Sequence, residues 1–171
     1  QVSGVNEHDR FQGSGTNTGM TTSPLSYDAS NPLSAELPAM QGLNDAEQQS
    51  AYWILIFPNI ALFLLPHHLL TLLYRPDGAG RTIESADMLV LPEAMADPNF
   101  KQKFKEIFKF WDLVNNQDIT AVERVQVGLQ SKAYPGGRMC YRFEEPLHRF
   151  QNMVIDYMVG RPTIPQGDSD D

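Results

Sequence analysis

Three short apolar runs stand close together in the middle of the chain: Ala51 to Phe57, Ile60 to Leu65 and Leu69 to Tyr74, separated by Pro58-Asn59 and Pro66-His67-His68. Each run has strand length and is bounded by turn residues, whereas about 20 uninterrupted apolar residues are needed to cross a bilayer. The pattern predicts buried antiparallel strands and argues against a membrane span. A further strand is expected from Arg81 to about Leu91, after the turn Pro76-Asp77-Gly78-Ala79-Gly80. Its alternation puts Thr82, Glu84, Ala86 and Met88 on one face and Ile83, Ser85, Asp87 and Leu89 on the other.

After Asp97-Pro98, a helix-start signal, the period changes. Phe100, Phe104, Ile107, Phe108, Trp111 and Val114 recur at spacings of three and four, with Lys101, Lys105 and Lys109 on the solvated side. The same phase continues through Val122, Val125 and Leu129, and Pro135-Gly136-Gly137 ends it. A last helix is expected from about Pro146, with Leu147, Phe150, Val154, Tyr157 and Met158 on one stripe and Gly160 and Pro162 as its stop. The elements together predict an α+β fold.

Residues 1–50 are rich in Gly, Ser, Thr, Asn and Pro and predict a loop-rich connection, with one strand near Met20 to Leu25. Residues 161–171 form an acidic tail, expected to be disordered. The chain begins at Gln1 with no initiator Met and no leader pattern, which raises the expectation of a fragment. Its 171 residues allow one ordinary domain and leave little room for two. With 42% apolar and 20% charged residues it is composed to fold. The net charge of −8 would repel a phosphate backbone, so nucleic acid is not an expected partner. A single cysteine, Cys140, excludes an internal disulfide and any multi-thiolate metal site, and is compatible with a reducing, cytoplasmic setting.

One residue breaks the helical pattern. Between Val114 and Val122 the apolar stripe is filled by Asp118, which puts a carboxylate on the face predicted to be buried. A buried charge must be protonated, capped, paired or bound to a metal. Asn115-Asn116-Gln117-Asp118 is a poor helix interior, and Thr120 with Glu123 has capping-box spacing, so two helices can meet here with Asp118 as a cap. An ion pair with Arg124 or a more distant arginine, and a metal or catalytic role, are the other two readings.

The remaining candidates are plainer. His67 and His68 are neighbours, expected to point to opposite faces and to serve a turn or a pocket rim rather than one metal. His148 is expected to be a solvated or hydrogen-bonded structural histidine, and His8 sits in a polar loop. Cys140 has no histidine nearby in sequence, and Gly13-Ser14-Gly15 lacks the features of a phosphate loop.

The segment from Phe110 to Ser131, with Asn116-Gln117-Asp118 and a following Glu123-Arg124-Val125-Gln126-Val127-Gly128, resembles the carboxylate-ligand helix of Rieske non-haem iron oxygenases, the ring-hydroxylating oxygenase alpha subunits. Tyr74-Arg75-Pro76, Pro92-Glu93-Ala94 and Arg142-Phe143-Glu144-Glu145-Pro146-Leu147-His148-Arg149-Phe150 resemble the same family in the same order, so the likeness spans residues 51–160. It implies the C-terminal portion of a catalytic domain of helix-grip type, in which an antiparallel sheet packs on a long C-terminal helix. It implies a mononuclear Fe(II) held by two histidines and one carboxylate, Asp118 by position. A [2Fe-2S] Rieske cluster is implied in an upstream domain, with a reductase as electron donor, O2 as co-substrate and a homotrimer as assembly. The Rieske motif and the paired-histidine motif are not in these 171 residues.

Residues one to three turns before Asp118, namely Asn115 or Val114, Trp111 and Phe108, share its helix face and are candidates to line a substrate pocket. Phe108 and Trp111 suit an aromatic ring or a quaternary ammonium cation, or are plain core. The resemblance implies hydroxylation or oxidative demethylation of a small aromatic or quaternary-amine substrate. The competing expectation is a non-enzymatic helix-grip module that encloses a hydrophobic ligand.

Overall fold

The computed structural model describes residues 18–24, 37–140 and 144–161. His8, Gly13-Ser14-Gly15, Leu25, the Tyr141 to Phe143 stretch and the acidic tail lie outside the described residues. The chain forms two compact units, one built on the sheet and the last helix, the other on residues 92–139.

The first unit holds five strands, β1 (Thr18–Pro24), β2 (Ser50–Ile56), β3 (Ile60–Leu65), β4 (His68–Pro76) and β5 (Thr82–Val90). They lie side by side in chain order, and each pair is antiparallel. The three apolar runs are thus adjacent strands, and the expected strand near Met20 is the sheet's edge. The turns follow from their residues. Gly78 adopts φ +84 in the loop after β4, a conformation that disfavours any side chain, and the Asp77 N–H donates to Arg81 O at 2.9 Å to close it. At the β2–β3 turn Asn59 replaces the missing ladder contacts. Its Nδ2 donates to Tyr74 O at 2.9 Å, and the Tyr74 N–H donates to Asn59 O at 2.9 Å.

The register sorts the strands into two faces. Ala51 opposes Ser23, Trp53 opposes Phe63, Ala61 opposes Leu72, Leu65 opposes His68, and Leu70 opposes Met88. This face carries the buried residues Ala51, Ala61, Leu65, His68, Leu70 and Leu72. On it the Trp53 and Phe63 rings meet edge-on at 4.6 Å, a cross-strand aromatic pair. The opposite face, with Tyr52, Ile54, Leu62, Leu64 and Leu69, is half-buried. On β5 that face ends exposed, at Ile83 and Leu89.

The last helix, α2 (Glu145–Met158), belongs to this unit. Phe57, just past β2, stands 5.6 Å from the Phe150 ring and 5.2 Å from the Tyr157 ring. Met153 is the buried residue of the helix and Phe150 and Val154 are half-buried, whereas Leu147 and Met158 of the expected stripe are exposed. Gly160 at φ +69 follows the helix end, the left-handed stop the sequence pattern predicts.

The second unit contains a 3-10 turn at Pro92–Ala96 and the helix α1 (Phe100–Leu129). The helix has 30 residues and the last one 14, so the long helix of this chain is not its C-terminal one.

Four expectations are corrected here. Asp118 is exposed, not on a buried face. The helix does not break at Asn115-Asp118, so there is no second N-terminus for Asp118 or Thr120 to cap. Instead, Asn116 Nδ2 donates to Asp112 O at 2.6 Å and Thr120 Oγ1 donates to Asn116 O at 2.8 Å. These side chains bond back to the carbonyls four residues behind them rather than capping a new helix start. The stripe itself emerges into solvent: Val122 is 66% exposed, Val125 59% and Leu129 48%. Phe108, counted with the apolar face, is 56% exposed, because it stands one residue round the helix from fully buried Ile107.

Candidate functional site

The start of α1 is fixed by Asp97. Its Oδ1 accepts the Asn99 N–H at 2.7 Å and its Oδ2 accepts Lys103 Nζ at 2.6 Å. The Lys103 hydrogen bond first, and the Asn99 N–H second, hold the Asp97 carboxyl below its usual value. Lys101, Lys105 and Lys109 then point to solvent as the pattern requires.

Along the helix, burial falls steadily towards the candidate ligand. Ile107 has no exposed surface, Trp111 is 7% exposed, Val114 and Asn115 are half-buried, and every residue from 116 to 140 is exposed. Trp111 meets Phe110 edge-on at 5.6 Å. The candidate ligand and the candidate pocket residues are all carried by α1: Phe108, Trp111, Val114, Asn115 and Asp118. Trp111 and Asp118, seven residues apart, point nearly the same way at a separation of ~10 Å along the axis. Phe108 is the exposed member of the set.

Asp118 has no ion-pair partner among the described residues, Arg124 included. Its charge is solvated and requires none. Nor do three His, Cys, Asp or Glu side chains gather anywhere among the described residues to hold a metal. A 2-His-1-carboxylate centre needs three such donors on one face of the ion. The described residues do not make an iron site by themselves.

The histidines differ from expectation. His67 occupies the two-residue turn between β3 and β4, and His68 opens β4. Because the turn rotates the chain, the rings do not diverge as they would within a strand. They stack at 4.9 Å and 12°, with their Nδ1 atoms 2.8 Å apart. His67 is 5% exposed and His68 1%. Burial first, and neighbouring His67 second, push the His68 pKa down to about 3. The Pro66-His67 turn was the available signal for this pair. His148 is exposed on α2, with its Nε2 3.4 Å from Asn152 Nδ2, in line with a structural histidine. Cys140 is exposed, and its N–H donates to Glu144 Oε2 at 2.6 Å.

An antiparallel sheet followed by a long helix that carries the exposed candidate ligand Asp118 defines the class: an α+β chain with one candidate metal ligand among its described residues. The comparison with known families sharpens this. The pattern of the ring hydroxylating alpha subunit (catalytic domain) matches residues 2–160. The chain belongs to that family, the catalytic domains of Rieske non-haem iron oxygenases. No curated protein and no solved structure matches it. The family makes it an oxygenase, of a kind that generally uses mononuclear iron and acts with a substrate, O2 and a reductase. It does not favour the non-enzymatic module. No helix among the described residues is long and apolar enough to cross a membrane.

Proposed function

We propose that this chain is the C-terminal portion of the catalytic domain of an oxygenase that hydroxylates or oxidatively demethylates a small aromatic or quaternary-amine substrate, and that Asp118 is the carboxylate ligand of its Fe(II). The observation that carries the reading is the family match over residues 2–160, which includes the whole of α1. The two histidine ligands come from outside the described residues. Electrons arrive from a reductase through a [2Fe-2S] Rieske centre, the assembly is a homotrimer and the setting cytoplasmic. The antiparallel sheet, with β1 (Thr18–Pro24) at its edge, is the wall of a helix-grip domain.

Within this reading α1 has two halves. The first is anchored by Ile107 and Trp111, and the second projects a solvated carboxylate one turn beyond half-buried Asn115. Val114 and Asn115, then Trp111, with Phe108 at the rim, are the side chains that precede the ligand on its own face. A flat indole and a phenyl ring suit an aromatic or quaternary-ammonium substrate through ring contact or cation-π attraction.

The test is Asp118→Ala in the intact oxygenase, read by iron content and by substrate-dependent O2 consumption. Loss of both with an unchanged melting temperature supports the assignment. Full iron content and turnover would overturn it.

A further inference from the structure

We propose that a second copy of this chain docks antiparallel on the outward face of α1, bringing Lys105 of each copy to Glu123 of the other.

The observation is an order of charges along one line of the helix. Lys101, Lys105, Lys109, Asp112, Asn116, Ile119 and Glu123 follow one another at spacings of four or three, so they form one stripe, and each of them is exposed. The stripe is turned away from buried Ile107 and Trp111. It is basic at its start and acidic at its end. Four of the chain's five lysines stand in residues 101–109, against one acidic residue, Glu106. From Asp112 to Glu123 there are three acidic residues and no basic one.

The helix by itself does not favour this order. Its macrodipole stabilises anions near the N-terminus and cations near the C-terminus, the reverse of what α1 carries. Lys109 Nζ does reach Glu106 Oε1 at 3.4 Å, on the flank of the stripe. Lys105 and Glu123, however, are 18 residues apart in one straight helix, about 27 Å, and cannot meet within one copy.

Between copies they can. Laid parallel and in register, two stripes oppose lysine to lysine and carboxylate to carboxylate. Laid antiparallel about a two-fold axis level with Val114, they oppose Lys105 to Glu123, Lys109 to Ile119 and Asp112 to Asn116, each contact occurring twice. The exposed Leu113 side chains then flank the axis, and Glu106 lies beside the Arg124 end of the other copy. Two chains of net charge −8 repel each other at long range, so copies can meet only where unlike charges oppose one another locally. The charge-ordered stripe supplies that match from a single surface. One helix-on-helix contact of this length belongs with small, weak interfaces, so the dimer forms at high protein concentration. The contact is two-fold and uses neither Asp118 nor the iron chemistry, so it stands apart from the assembly and the function proposed above.

The experiment is sedimentation equilibrium of the full chain at low ionic strength, across the micromolar to millimolar range. The samples are the wild type, Lys105→Glu, Glu123→Lys, both changes in one chain, and an equal mixture of the two single variants. The wild type should show a two-copy association step. Each single change sets like charges against each other at two symmetric places and should weaken that step by about tenfold or more. The double variant should regain association close to that of the wild type, and the mixture should form the heterodimer. In parallel, carbodiimide treatment of the wild type should join Lys105 to Glu123, a link that one copy cannot make. A wild type without a two-copy step, single variants that associate as it does, a double variant as weak as the singles, or no Lys105–Glu123 link would overturn the proposal. Should a variant not fold, the crosslink in the wild type decides alone.

Discussion

Trp111 and Asp118 point along the same line of α1, yet the indole is 7% exposed and the carboxylate stands in solvent. Seven residues separate a core side chain from a free anion. The two can therefore be separated by mutation. Asp118→Asn should leave the unfolding free energy of the chain within about 0.5 kcal/mol, as for an exposed position without partners. Trp111→Ala should cost about 3–5 kcal/mol. Urea unfolding monitored by far-UV circular dichroism measures both.

A sharper contrast lies between neighbours. Ile107 has no exposed surface and Phe108 is 56% exposed. Ile107→Ala should destabilise by roughly 2–5 kcal/mol, whereas Phe108→Ala should stay under about 1 kcal/mol despite the larger side chain removed. If Phe108 borders a substrate site, its alanine variant should raise KM in the intact oxygenase without changing the melting temperature.

The Asp97 clamp makes the start of α1 pH-dependent. Its carboxyl titrates below the usual range in the folded chain because Lys103 and the Asn99 N–H both donate to it. The stabilisation is complete above the unfolded carboxyl value and is lost as the pH falls through the lower folded value. Asp97→Asn should lower the melting temperature at pH 7, and the difference from wild type should shrink towards pH 3. Lys103→Met should do the same in part, and thermal scans across that range check both.

Gly160 closes α2 at φ +69, in the left-handed region. Open space surrounds the position where a Cβ would stand, so the cost of Gly160→Ala is conformational rather than steric. It should be about 1 kcal/mol, visible as a small fall in the urea midpoint.

The strands were legible because the apolar runs at Ala51, Ile60 and Leu69 are each cut by proline-bearing turns, and the start of the long helix because Asp97-Pro98 precedes a regular period. What was not legible is coverage. A period of three and four tells which residues share a face, but Val122 and Val125 continue the phase of Trp111 while lying exposed. The inference from phase to burial then misassigned Asp118 as a buried charge. Its capping role failed for a different reason, since Asn116 and Thr120 spend their hydrogen bonds on the helix carbonyls behind them. The His67–His68 contact escaped because strand alternation does not hold inside a two-residue turn. The family likeness came from short ordered motifs within residues 51–160 rather than from any of these physical signals, and the family match extends over positions 2–160.

The order of the strands also bears on how the sheet is assembled. From β2 to β5 each strand pairs with its immediate predecessor across a connection of two to five residues. Little chain entropy is lost in closing such loops, and topologies rich in local contacts fold quickly. The exception is β1, which reaches β2 only across residues 25–49. Its docking closes the longest loop in the sheet, so adding β1 costs more chain entropy than adding any other strand.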